Sequence, residues 1–151
     1  MTQGKRIVVG VDGSDGSRVA LLWANEQAAL RDVELLVVSV WSTWRGRSAA
    51  PPPMSDSAFA SLPWGFDVEP EESAKAMLDK ALLDVFPDGP PDRLKTKVAV
   101  GNVTESLIEL SADADLVVVG SRGHGGFASM LLGSVSQHVA AHAKCSVVIA
   151  R

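Results

Sequence analysis

The residues best suited to chemistry form a glycine box, Gly120-Ser121-Arg122-Gly123-His124-Gly125-Gly126, with Gly133-Ser134 a little further on. Glycine lets a backbone come close to a ligand, and N–H groups freed from regular structure can surround phosphate oxygens. The Ser134 hydroxyl adds a donor to the second cluster. The same glycines also suit plain surface turns. A second group, Gly10-Val11-Asp12-Gly13-Ser14, closes a short β-branched run. Asp12 could accept hydrogen bonds from a sugar or base, help hold a metal, or cap a turn.

Two known phosphate loops can be tested against the glycine box. The G-x-x-x-x-G-K-[ST] loop fails, because no lysine lies in the box. Gly123-His124-Gly125-Gly126-Phe127-Ala128 matches the letters of the dinucleotide loop. That loop should lead to a second strand bearing an acidic residue, whereas here the next strand is the last and ends at Arg151. Other chemical residues carry weaker patterns. His124 could touch phosphate, but no carboxylate can be assigned to orient it as a base. His138 and His142 are spaced for one helical face, as a metal pair would be, yet no third ligand accompanies them. Cys145 opens the last strand and reads as a small buried hydrophobe. No catalytic set and no metal-ligand set emerges.

The elements that must position these groups alternate. Strand-like runs cover Ile7 to Val11, Val33 to Val40, Leu94 to Val100, Leu116 to Val119 and Ser146 to Ala150. Helical patterns lie between them. The first follows Ser14, a capping residue, and places Val19, Leu22, Trp23 and Glu26 at helical spacing among alanines. Others span 71–86, 103–112 and 128–143. Strand and helix alternation predicts an α/β fold, a parallel sheet with helices on both faces. We expect a Rossmann-like five-stranded sheet in the order 3-2-1-4-5. The strand order then reverses between strands one and four, which end at Asp12 and Gly120, and ligands of open α/β sheets bind at such reversals. The last strand falls at a sheet edge, a pairing hazard unless covered. Residues 41–70 break the pattern with Pro51-Pro52-Pro53 and three tryptophans, Trp41, Trp44 and Trp64, and read as a long insertion.

Composition sets the outer bounds. A chain of 151 residues predicts one domain over 1–151. Hydrophobic residues at 46% against 21% charged exclude a disordered chain. Fourteen Lys+Arg against 18 Asp+Glu give −4, which offers no bulk attraction to nucleic acid or an anionic membrane. No apolar run is long enough to span a bilayer, and the N-terminus does not read as a secretory leader. A single cysteine forbids an internal disulfide. These features predict a soluble cytoplasmic domain.

Gly120-x-x-Gly123, nine residues, then Gly133-Ser134 resembles the G-2x-G-9x-G-[ST] motif of the ATP-binding universal stress proteins. Val8-Val9-Gly10-Val11-Asp12-Gly13-Ser14, Leu131 to Ser136 and His142 to Ile149 are similar to that family too. The resemblance covers the chain apart from 41–70. It implies ATP or another adenine nucleotide in the crevice, with Mg²⁺ bridging phosphate oxygens. It places Asp12 and the backbone near Gly10 and Val40 by the adenine and ribose. It places Gly120 and Gly123 on the ribose and phosphates, with Ser121, Arg122, His124 and Gly125 in the same loop. Gly133, Ser134 and Val135 would close around the phosphates. Some members carry Arg where Met130 stands, and Arg122 is the candidate replacement. The family also implies a homodimer through strand 146–150. The function so implied is a regulatory or stress-response nucleotide binder with little or slow hydrolysis. A slow ATPase of the same fold and a nucleotide-independent interaction module are the alternatives. Adenylating relatives carry S-G-G-x-D-S after the first strand, which Asp12-Gly13-Ser14-Asp15-Gly16-Ser17 does not match.

Overall fold

A computed structural model describes residues 6–41, 70–121 and 132–151 of the chain. The elements run β1 (Arg6–Gly10), α1 (Asp15–Arg31), β2 (Glu34–Trp41), α2 (Pro70–Val85), β3 (Leu94–Val100), α3 (Val103–Ser111), β4 (Leu116–Gly120), α4 (Ser134–His142) and β5 (Ser146–Ala150). All strand pairs are parallel, in the order β3-β2-β1-β4-β5. This is the expected topology. Of the insertion expected at 41–70, Trp41 ends β2 and Pro70 starts α2; residues 42–69, with Trp44 and Trp64, lie outside the described residues.

Alternation along each strand divides the core into two layers. Ile7 and Val9 of β1, Leu35 and Val37 of β2 and Val118 of β4 pack with Leu21 and Ala24 of α1 and Leu78 of α2. Val8, Leu36, Val38, Val117 and Val119 face the other way, onto Leu107 of α3 and Val139 of α4. The central strands are buried on both faces, which is why they read as unbroken apolar runs. β3 is an edge strand and exposes Lys95, Thr96 and Lys97 in a row; it is the more exposed strand expected, but its burial does not follow the alternation of its sequence.

Helix α1 differs from the simple periodic reading. Its buried face is Ser17, Ala20, Leu21, Ala24 and Ala28, while Val19 and Leu22 remain 39% and 46% exposed. Small residues face the sheet because helix and sheet approach closely. Ser14 caps the helix by accepting from Ser17 N–H. At the other end Asp32 adopts a left-handed conformation (φ 52°) and donates its N–H to Ala28 and Ala29 carbonyls. Helix α4 is shorter than its apolar pattern. Gly133 is its extended N-cap (φ −72°, ψ 164°), so Leu132 and Gly133 precede it, and Ala143 has already left it. Residues 128–131 of that expected helix lie outside the described residues. α2 starts on Pro70, whose missing N–H costs nothing at a first helical position. α3 is capped by Asn102, which accepts from the N–H groups of Thr104 (2.9 Å) and Glu105 (3.2 Å).

Candidate functional site

β1 pairs with β2 on one side and β4 on the other, so the strand order reverses between β1 and β4. The turn leaving β1 is held tightly. Val11 N–H continues the ladder to Val38 O at 2.9 Å. Asp12 Oδ1 accepts from Ser14 N–H at 2.9 Å and from the Ser14 hydroxyl. Asp12 N–H reaches Ser17 Oγ at 3.3 Å, and Ser17 Oγ–H donates to Ser14 O at 2.9 Å. Gly13 takes φ 80°, a conformation that favours glycine. One carboxylate oxygen of Asp12 is thus committed to its own turn. The residue is exposed and keeps acceptor capacity on its other oxygen.

Two of the expected ligand glycines have packing reasons for being glycine. A Cβ on Gly120 would lie 2.6 Å from Gly16 C, 2.8 Å from Gly16 O and 3.0 Å from Ser17 N. All three are backbone atoms of α1, so the missing side chain is what lets α1 sit against β4. A Cβ on Gly10 would lie 3.2 Å from Leu107 Cδ1, on the opposite face. Val40 is half-buried near the end of β2 and is paired with Ala99.

On the other side of the strand reversal, the end of β4 is a hydrogen-bonded node. Ser121 N–H donates to Ala150 O (2.9 Å), and Gly133 N–H donates to Ser121 O (2.7 Å). The Ser136 hydroxyl lies 2.9 Å from Gly133 O and 3.3 Å from Ser121 O. Ser121 and Gly133 are thereby held together at the end of β4. Gly133 has no side chain with which to cap α4. Among the described residues, the first N–H groups of α4, on Ser134, Val135 and Ser136, have no capping side chain, and they stand at the positive end of a helix, an arrangement suited to an anion. Arg122, Gly123, His124, Gly125 and Met130 lie outside the described residues.

Ser17 and Ser136 were not among the expected site residues. Each is the third residue of its helix, buried at 6% and 2% exposure, with its hydroxyl on the N-cap carbonyl and near the loop that leaves the preceding strand. The spacing Ser14-x-x-Ser17 and Gly133-x-x-Ser136 was their signal. A cleft of about 390 Å³ opens beside Asp12, between the start of α1 (Val11, Ser14, Arg18) and α2 (Met77, Lys80, Asp84). Ser39 is fully buried, and its hydroxyl has no partner among the described residues.

The remaining candidates fall elsewhere. His138 and His142 stack at 6.4 Å on α4, and His138 Nδ1 lies 2.8 Å from Ser134 O. Among the described residues no three His, Cys, Asp or Glu side chains gather. Cys145 is half-buried at the margin of the second core layer, not fully buried as expected, because it precedes β5 instead of lying within it. Burial pushes its thiol pKa up and the Asp115 charge adds to this, against a lowering backbone hydrogen bond at Val117. That favours the protonated thiol and the packing role. Among the described residues, no helix is long and apolar enough to cross a membrane.

Comparison with known proteins extends this geometry. The chain is 36% identical over 149 residues to universal stress protein Rv2005c of Mycobacterium tuberculosis, covering 96% of this chain and 45% of that protein. It thus spans about half the length of the curated relatives it matches. The structure of universal stress protein UspA from Lactobacillus plantarum superposes with a TM-score of 0.71 at 25% identity, over 100% of both chains. A universal stress protein solved in complex with cAMP superposes with a TM-score of 0.58 at 26% identity, over 98% of this chain and 97% of the other. The model of the universal stress protein family matches residues 4–151, and the chain belongs to that family.

Proposed function

We propose that this chain binds an adenine nucleotide, ATP foremost, in the crevice between the carboxyl ends of β1 and β4. It would act as a cytoplasmic regulatory nucleotide binder with little or slow hydrolysis. The observation that carries the reading is the α4 rim. Gly133 and Ser136 bring an uncapped helix start to the end of β4, within the spacing Gly120-x-x-Gly123-x₉-Gly133-Ser134. Orphan N–H groups and hydroxyls attract anions, so this donor set fits phosphate oxygens. Gly120, Ser121, Gly123, Gly133, Ser134 and Val135 form the phosphate and ribose side of the proposed site, with Arg122, His124 and Gly125 in the same loop. Gly10, Asp12 and Val40 form the nucleoside side. A Mg²⁺ ion would enter on the phosphate oxygens and supply charge neutralisation there. The neighbour solved with cAMP supports an adenine ligand.

Two further parts belong to this reading. Residues 1–151 act as one nucleotide-binding domain, and β5 pairs with a second copy to form a homodimer. β5 is an edge strand. Ala150 O is engaged by Ser121 N–H, so by strand alternation the N–H and C=O groups of Val147 and Ile149 point outward.

The test is thermal unfolding of nucleotide-free protein with ATP, AMP, cAMP and GTP, with and without Mg²⁺. A nucleotide at 100 times its Kd should add about 2.7 kcal/mol, a rise of roughly 5–10 °C for a chain of this size. A shift confined to adenine nucleotides is the expected result. Equal shifts with GTP, or none with any nucleotide, would overturn the reading.

A further inference from the structure

We propose that Ser136 is a positioning residue for the phosphate side of the crevice, and that Ser17 is its counterpart on the nucleoside side. The inference rests on the nucleotide reading above. The two helices flanking the strand reversal each carry a buried serine at their third position, one that donates and accepts and one whose single proton is shared between two carbonyls. In α1, Ser17 Oγ–H donates to the N-cap carbonyl of Ser14 (2.9 Å) while Ser17 Oγ accepts Asp12 N–H (3.3 Å). In α4, the Ser136 hydroxyl reaches the N-cap carbonyl of Gly133 (2.9 Å) and Ser121 O (3.3 Å). Each serine therefore ties a helix start to the backbone that has just left the neighbouring strand.

The tie differs in consequence between the two rims. Ser14 caps α1 with its own hydroxyl, so the start of α1 has a second hold. Gly133 caps α4 with no side chain, so while Val139 anchors the helix body in the core, the polar hold of its first turn on the end of β4 is Gly133 N–H to Ser121 O together with Ser136. These contacts orient the N–H groups of Ser134 and Val135, which have no capping side chain among the described residues. Ser136 is 2% exposed, so its hydroxyl acts from beneath, through the backbone, while the donors above it face the ligand. Its removal leaves both carbonyls with another donor. Ser121 O keeps Gly133 N–H at 2.7 Å, and Gly133 O keeps Gln137 N–H at 3.1 Å. Ser136→Ala should therefore fold.

Two measurements on the full chain decide the matter. The first is hydrogen exchange at the Gly133 amide without nucleotide. Loss of one hydrogen bond should speed exchange about fivefold in Ser136→Ala, and Ser136→Thr, which keeps the hydroxyl, should restore the wild-type rate. The second is calorimetric titration with MgATP and with adenosine. Ser136→Ala should weaken ATP about fivefold and leave adenosine unchanged, whereas Ser17→Ala should weaken both alike. Unchanged Gly133 exchange, or equal loss of ATP and adenosine in Ser136→Ala, would overturn the proposal. Wild-type protein that binds neither ligand would instead refute the nucleotide reading, and the exchange rates would still decide whether Ser136 holds the rim.

Discussion

Gly120→Ala probes the close approach of α1 to β4. The new Cβ would stand 2.6 Å from Gly16 C, 2.8 Å from Gly16 O and 3.0 Å from Ser17 N, where ordinary contact begins at 3.4 Å. Backbone atoms cannot rotate aside, so α1 must withdraw from β4 by about 0.8 Å. Overpacking of this kind costs about 1–3 kcal/mol. The reduced freedom of the unfolded chain returns about 0.4–1 kcal/mol. Taken at the midpoints, the net loss is about 1.3 kcal/mol, or a fall in Tm of roughly 3–5 °C at about 2–4 °C per kcal/mol. Gly10→Ala is the comparator, because its Cβ meets the flexible Leu107 side chain at 3.2 Å. Thermal unfolding followed by circular dichroism should rank Gly120→Ala below Gly10→Ala. The reverse order, or no loss in Gly120→Ala, would refute the described packing of α1 on β4. Because this glycine holds the fold together, its substitution cannot serve as a clean test of ligand binding.

Other perturbations follow from single contacts. Ser14→Ala removes both the α1 cap and a donor to Asp12, and should lower stability by about 1 kcal/mol in chemical denaturation. Cys145 has a pKa raised by burial above its ordinary 9.0. Its stabilising contribution is therefore complete below pH 9.0 and fades as pH rises through the raised value. The stability gap between wild type and Cys145→Ser should shrink in that alkaline window; a gap constant with pH would contradict it. Ile149→Pro removes an outward N–H from β5. Sedimentation should find a wild-type dimer and a monomeric variant, and a dimeric variant would exclude the edge pairing.

The sheet was legible because its inner strands are buried on both faces. Val8-Val9 and Leu116 to Val119 could only be core, and alternation with helices then leaves few topologies. The two turns that border the proposed site were legible for a different reason. Glycines and capping residues mark where backbone must bend, as at Gly13 and Gly133. What stayed hidden depends on contacts between distant segments. Nothing local in Gly120 announces that Gly16 will press against it. The inward face of α1 was misjudged because close approach selects alanine and serine, which periodicity weighs lightly against Val19 and Leu22. Ser136 looked like one more helix residue until the fold brought Ser121 O to it.

Amide chemical shifts recorded during titration with MgATP test the central claim most directly. Binding in the crevice should move the amides of Asp12, Gly13, Ser121, Ser134 and Val135 together and saturably. It should leave Ile7, Arg31, Val33 and Asp115 still, since they line a separate cavity of about 300 Å³. Shifts centred on that second cavity, or on Lys80 and Asp84 of the α1–α2 cleft, or no shifts at all, would contradict the account.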